Sequence, residues 1–213
     1  MSDYFSDREI GPRPRVLDEL SNTAWGGIVA AFYRAVDSHK FGQAFPEQCA
    51  DGEGICGTSS ANLTASLRGD IPSLPWPLRD DSNPGTLVAM DLVEFAWRHI
   101  ALPSPQSYHD FFRHNHYTFD VAPARSQWRA EINRILARNG LALELGSDGK
   151  VVRIGPPSAE AALQQTLPST NDPTLDRLLE TAVRRYRSPD ASVRREALDR
   201  FGTRSSGSRP SLT

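Results

Sequence analysis

Proline decides first where this chain cannot be helical. Sixteen prolines occur in 213 residues, and most fall between stretches of helical periodicity. Pro12 and Pro14 leave the first 14 residues irregular. Pro72, Pro75 and Pro77 crowd Trp76 in DIPSLPWPLRDDSNPG; Pro103 and Pro105 close the next periodic stretch; Pro156-Pro157 and Pro189 divide the last third. Proline has no amide hydrogen, and its ring clashes with the preceding turn, so each group ends a helix or forces extended backbone. The segment around Trp76 is therefore expected to lie extended over a core, with the indole as its plug.

Between these breaks, apolar residues recur at helical spacing. Leu17, Leu20, Ala24, Ile28, Ala31, Phe32 and Ala35 predict a helix from about Arg15 to Ser38. Gly26 and Gly27 weaken its middle by about 1 kcal/mol each relative to alanine and leave room for a close neighbour. Residues 42–57 read as loop, followed by a short helix from Thr58 or Ser59 to Arg68. Over residues 86–102, Asp91, Glu94 and Arg98 form one polar stripe among Leu92, Val93, Phe95, Trp97 and Ile100. That is a mostly buried helix with a Glu94–Arg98 pair, and with His99 as a satisfied core histidine.

After Pro105 a short helix is expected over SYHDFF. The next helix, Pro123 to Asn139, has Asp120 as its cap, Trp128, Ile132, Ile135 and Leu136 as its buried face, and Asn139-Gly140 as its stop. LALELGSDGKVVRIG then reads as two strands around a GSDG turn. The expected fold class is mainly α with one small β-hairpin, an α+β chain. Its divisions are a helical domain over 1–155, a connector over 156–173, a helical hairpin over 174–201 and a disordered tail over 202–213.

Length and composition suit a folded protein with its own core. There is no apolar run of about 18 residues and no secretory h-region, so no membrane partner is expected and the cytoplasm is the expected compartment. Two cysteines do not make a disulfide scaffold. Charge is uneven: residues 1–94 hold 14 acidic against 7 basic side chains, while residues 174–213 hold 9 arginines against 5 acids. Such polarity suits mutual attraction or plain solvation first, and a basic surface for an anionic partner second.

Three of the five histidines, His109, His114 and His116, fall within SYHDFFRHNHYTFD. If the segment is extended, His114 and His116 share a face. With His109 they could hold zinc, or work as acid and base with Arg113 steadying an anion. Phe111, Phe112, Tyr117 and Phe119 crowd the same stretch and no HExxH accompanies it, so polar edges of an aromatic cluster are the leading reading. Cys49 and Cys56 are not a zinc half-site by themselves; they would have to recruit His39 or a residue of the 109–116 group. GxxxxGK[ST], GxGxxG and GxSxG are all absent, and no cofactor is expected.

A helix running straight into a hairpin is also the order of recognition helix and wing in winged-helix DNA binders. Arg134 and Arg138 on the helix, with Lys150 and Arg153 on the hairpin, are the candidates for phosphate contact. Arg184, Arg185, Arg187, Arg194 and Arg195 form a denser auxiliary strip. A solvated face competes with this reading, because residues 125–156 carry only 6 basic against 3 acidic groups and Glu131 lies within reach of Arg134.

The succession of SYHDFFRHNHYTFD, RAEINRILARNGLALELGSDGKVVRIGPP and DPTLDRLLETAVRRYRSPDASVRREALDRF resembles the N-terminal modules of abortive-infection (AbiJ-like) bacterial proteins, best over residues 107–201. The resemblance implies a helical domain with a small hairpin, placed before a helical C-terminal domain of the HEPN type that is shortened here. It does not imply RNA cleavage: no R-x4–6-H motif lies in residues 174–201, the part that resembles a HEPN domain, and Arg113 lies too close to His116. The expected function is a non-enzymatic regulatory module acting through nucleic-acid or protein contact, in transcriptional control of a resistance or defence gene. Two alternatives stand beside it: a metal-dependent or RNase-like enzyme using His109, His114 and His116, and a sensor domain lacking its effector. Candidate partners are nucleic acid, another protein, or a second copy through residues 174–201.

Overall fold

The computed structural model describes residues 4–154, together with Thr174, Asp176, Arg177, Glu180, Thr181 and Arg185 as separate helical positions. Two compact units divide the chain, residues 1–151 and 152–213. The connector, the tail and the other positions of the helical hairpin lie outside the described residues. The described chain is an α+β mix of five helices and three small antiparallel sheets of two strands each. Among the described residues no helix is long and apolar enough to cross a membrane.

A short α1 (Phe5–Ile10) stands where irregular backbone is expected; the chain then runs without helix to Ser21, whose hydroxyl accepts from Ala24 N and starts α2 (Asn22–Asp37). The expected helix thus begins seven residues late. The reason is tertiary: Val16 and Leu17 donate their amides to Gly140 O, and Leu17 O accepts from Ala142 N. Backbone paired in this way cannot also serve a helix. Once begun, α2 buries Trp25, Ile28 and Phe32 completely. A Cβ on Gly27 would lie 3.2 Å from Ile135 Cγ2, so the glycine is where a second helix comes close.

That second helix is α5 (Val121–Arg138), capped by Asp120 through Ala122 N. With α4 (Thr86–His99) it completes a three-helix core. Trp128 of α5 is buried and donates Nε1 to Val93 O at 3.1 Å. The proline-rich segment lies over α2 as expected: Trp25 donates to Arg79 O at 2.7 Å and Tyr33 to Leu78 O at 3.2 Å. Trp76 packs, half-buried, against the core.

Downstream, β5 (Leu143–Leu145) and β6 (Val151–Arg153) form the expected hairpin. The Asn133 side chain ties β5 to α5 through Leu145 N at 2.8 Å and Leu145 O at 3.0 Å. At the turn, Gly149 has φ +80 and no room for a side chain, since a Cβ there would lie 2.2 Å from the Trp97 ring.

Two further hairpins stand where the sequence predicts loop and helix. β1 (Pro46–Gln48) pairs with β2 (Ile55–Thr58), just ahead of α3 (Ser60–Asp70), which Ser59 caps. β3 (Leu102–His109) pairs with β4 (His114–Asp120), from Leu102↔Asp120 at the base to His109↔His114 at the tip. The expected SYHDFF helix is therefore a strand end and a turn. A two-stranded ribbon tolerates Pro103 and Pro105 because half of its amides face outward. The register shifts between Pro105 and Ser107, and Arg113 closes the turn at φ 55. β4 lies against β2, which brings the two ribbons together.

Candidate functional site

The histidine-rich ribbon and the cysteine-bearing loop meet at this junction. In β4, His114 and His116 point to one face, as alternation requires. His109 faces His114 across the ribbon, and the three ring centroids form a near-equilateral triangle with sides of 5.4, 5.5 and 5.7 Å. From the other ribbon, the 49–54 turn is pinned by Cys49 N donating to Gly54 O at 2.8 Å and by Glu53 N donating to Asp51 Oδ1 at 2.9 Å. It thereby presents Cys49 and Asp51 to the imidazoles.

The contacts are specific. His114 Nε2 lies 3.2 Å from Cys49 Sγ. His109 pairs through Nε2 with Asp51, while its Nδ1 accepts from Phe112 N at 3.3 Å. The Ser107 hydroxyl meets His116 Nδ1 at 3.3 Å. The other nitrogen of that ring, Nε2, is buried without a partner, and His116 as a whole is only 7% exposed. A Cβ on Gly54 would sit 2.9 Å from His116 Cγ, so this glycine lets the ring into the junction. Cys49, His114 and His116 hold candidate ligand atoms within 4.8 Å of one another, and so do Cys49, Asp51 and His109.

Electrostatics separate the possible chemistries. Hydrogen bonds from the Cys49 thiol first, then from the Glu53 amide and His109, pull the Asp51 carboxyl down to about 2 against the effect of burial. Burial above all, with Asp51 beside it, pushes the Cys49 thiol up. A buried thiol held protonated is a poor nucleophile, although its pairing with His114 looks like a catalytic dyad. The same thiol would lose its proton to a metal ion.

Cys56 lies outside the cluster, bonding Glu47 O through its thiol at 3.4 Å, and both cysteines are free. His39 also stays out, with its ring 5.6 Å from that of Tyr117. His99 is the satisfied core histidine expected: Nδ1 donates to Phe95 O at 2.9 Å and the ring packs against Phe45 and Phe95. The sequence reading keeps Cys49 as a partner for the 109–116 group; Asp51-Gly52-Glu53-Gly54 suggests a cation loop there only with too few and wrongly spaced acids for an EF-hand, and Asp51 is not joined to the histidines. Its only local signal is the turn-forming ADGEG around it.

The basic candidates are placed less favourably. Arg138 pairs with Asp7 and stacks over the Tyr4 ring at 4.1 Å. Lys150 is exposed but reaches Glu94 at 3.3 Å, and that carboxylate also accepts from Val151 N and lies 3.7 Å from Arg98. Arg134 is half-buried on α5, and Glu131, its expected neutraliser, pairs instead with Arg34 of α2. Arg153 is half-buried and engaged, and Arg185 is a half-buried helical position with a partner. Arg184, Arg187, Arg194 and Arg195 lie outside the described residues. The structure thus brings the histidines together, and among the described basic candidates it pairs Arg138 and Lys150 with carboxylates.

A family model described as AbiJ N-terminal domain 4 matches residues 3–169. No curated protein and no solved structure matches the chain.

Proposed function

The chain belongs to the AbiJ N-terminal domain 4 family, and on that premise we propose that it is a non-enzymatic regulatory domain of an abortive-infection defence protein, with the Cys/His junction as its responsive site. One observation carries this reading. Five side chains able to bind a ligand converge where two ribbons from distant parts of the chain touch, and one buried nitrogen there has no partner. Occupying that junction, or opening it, changes how the ribbons are held. It therefore changes the surface that the β3–β4 tip presents, where Tyr108, Phe111 and Phe112 stand exposed. One feature favours control over catalysis: burial holds the Cys49 thiol protonated.

The test is phage plating on a host expressing the protein, wild type or His116→Gln. We expect wild type to restrict plaque formation and His116→Gln to lose restriction while the purified variant still folds. Unchanged restriction by a folded His116→Gln protein would sink the regulatory reading of this site.

Nucleic-acid contact through Arg134, Arg138, Lys150 and Arg153 enters as an outcome of a second measurement rather than as the conclusion. Arg138 and Lys150 would have to give up Asp7 and Glu94 to reach a phosphate. A gel-shift series across salt decides the matter. Binding to duplex DNA or RNA that weakens steeply with salt, and is lost in Arg134→Ala, would move the proposal from protein contact to phosphate contact.

A further inference from the structure

We infer that the junction is a zinc-class metal site: Cys49 Sγ and one ring nitrogen each from His114 and His116 coordinate the ion, and Asp51, oriented by His109, completes a four-coordinate shell. This names the ligand of the cluster read above as the regulatory site, and it rests on that reading.

The donor set comes first. One thiolate with two imidazoles and a carboxylate is a borderline-soft combination, which suits zinc and disfavours calcium or magnesium. Zinc imposes no directional d-electron preference, so it accepts donors from two unrelated loops. Distances come next. Metal bonds of about 2.0–2.3 Å at tetrahedral angles place neighbouring donors about 3.3–3.6 Å apart. Cys49 Sγ and His114 Nε2 already stand at 3.2 Å, and the remaining donors of each trio lie within 4.8 Å. Within each trio the donors therefore need shifts of about 1 Å, within the reach of side-chain rotation, and Cys49, common to both trios, links Asp51 to the histidine pair.

The unpaired nitrogen is the independent sign. A polar atom sealed from water without a hydrogen bond forfeits its hydration for nothing, and native folds seldom carry that cost without a purpose. The Ser107 hydroxyl fixes one nitrogen of the His116 ring, leaving the other sealed and unpaired. A hydrogen bond to the far ring nitrogen is the usual support for a metal-bound histidine. Gly54 clears the space for that ring, since any side chain there would strike it.

His109 serves differently. Both of its nitrogens are engaged, one with Asp51 and one with the Phe112 amide. It is a positioning residue that holds the carboxylate. On binding, the thiol gives its proton to solvent and a sulfur–metal bond replaces the S–H bond. Asp51 loses the thiol as a hydrogen-bond donor and turns that oxygen to the cation. The ion then clamps residues 49–51 to residues 114–116 across more than sixty intervening positions, where a cross-link constrains the unfolded chain strongly.

The experiment uses the full chain, purified without a metal-chelating step. Zinc is measured directly, and chelator-stripped protein is titrated with Zn²⁺ against a chromophoric competitor and with Co²⁺ under absorption. We expect close to one zinc per chain, with Co²⁺ giving tetrahedral visible bands and a thiolate charge-transfer band. Cys49→Ser should abolish that band. His116→Gln should weaken zinc by more than about 100-fold, and Asp51→Asn, which leaves a neutral oxygen where a carboxylate ligand stood, by at least about 10-fold. Cys56→Ser and His39→Gln should change nothing. A wild-type cobalt spectrum without a thiolate band overturns the inference whether or not the variants fold, as does a charge-transfer band that survives in folded Cys49→Ser. Zinc at the site with phage restriction intact in His116→Gln would refute the regulatory reading and keep the metal. No zinc, with restriction lost, would refute the metal and keep the regulatory reading.

Discussion

Helices α2, α4 and α5 meet through Trp25, Ile28, Phe32, Leu92, Val93, Ile132 and Leu136, each fully buried. In β3 only the two ends, Leu102-Pro103 and His109, are even half-buried, and in β4 the one buried residue is His116. The first region is held by apolar area, which is non-directional and tolerant. The second is held by pairing register and by a few polar side chains whose geometry must be right. Fold stability should therefore reside in the helical region, and response to a ligand in the ribbons, because elements with few apolar contacts open at lower cost.

The largest expected effect tests the first half of that contrast. Trp128→Ala removes a buried indole and its bond to Val93 O. It should cost about 3–5 kcal/mol and lower the whole cooperative transition. Thermal melts followed by far-UV circular dichroism and by tryptophan fluorescence would check this. A change confined to one probe would mean that the regions unfold separately, and the contrast would then be sharper than drawn.

A middle effect tests the second half. Gly54→Ala puts a methyl 2.9 Å from the His116 ring and strains the junction without touching the helices. Overpacking of this kind costs about 1–3 kcal/mol. Hydrogen exchange should speed at amides of residues 46–58 and 102–120 and stay unchanged in α2, α4 and α5. Equal acceleration in the helices would show that the ribbons are part of the main cooperative unit, and the division would fail.

The same contrast explains what the sequence could reveal. Helical periodicity and caps are local, so α4, α5, the Asp120 cap, the Asn139-Gly140 stop and the GSDG hairpin were all legible from neighbours in the chain. The α2 start was not, because Leu17 is held by Gly140 and Ala142, more than a hundred residues away. The two ribbons were illegible for a different reason. LPSPQSYH has no apolar alternation to mark a strand, and SYHDFF reads as helix until its pairing with His114–Asp120 is known. At the site, the shared face of His114 and His116 follows from spacing alone once the strand is granted. Their union with Cys49 and Asp51 follows only from the packing of β4 on β2.

The smallest expected effect lies on the helical side, where charge rather than area is at issue. Burial first, and repulsion from Glu94 second, raise the Asp91 carboxyl above its ordinary 3.8, with Arg98 opposing. A raised carboxyl favours the folded state most when protonated. Its contribution is therefore greatest below the unfolded value and is lost as pH rises through the folded one. At neutral pH the ionised Asp91 is a slight liability, and Asp91→Asn should raise the melting temperature. The residue is exposed, so solvent screening holds the gain to no more than about 1 °C. The difference between variant and wild type should shrink below about pH 4, where both side chains are neutral. Paired melts at pH 7 and at acid pH measure this, with zinc uptake followed in parallel. If uptake shifts along with the melt, charge on α4 reaches the ribbons after all, and the two regions are coupled through more than the backbone that joins them.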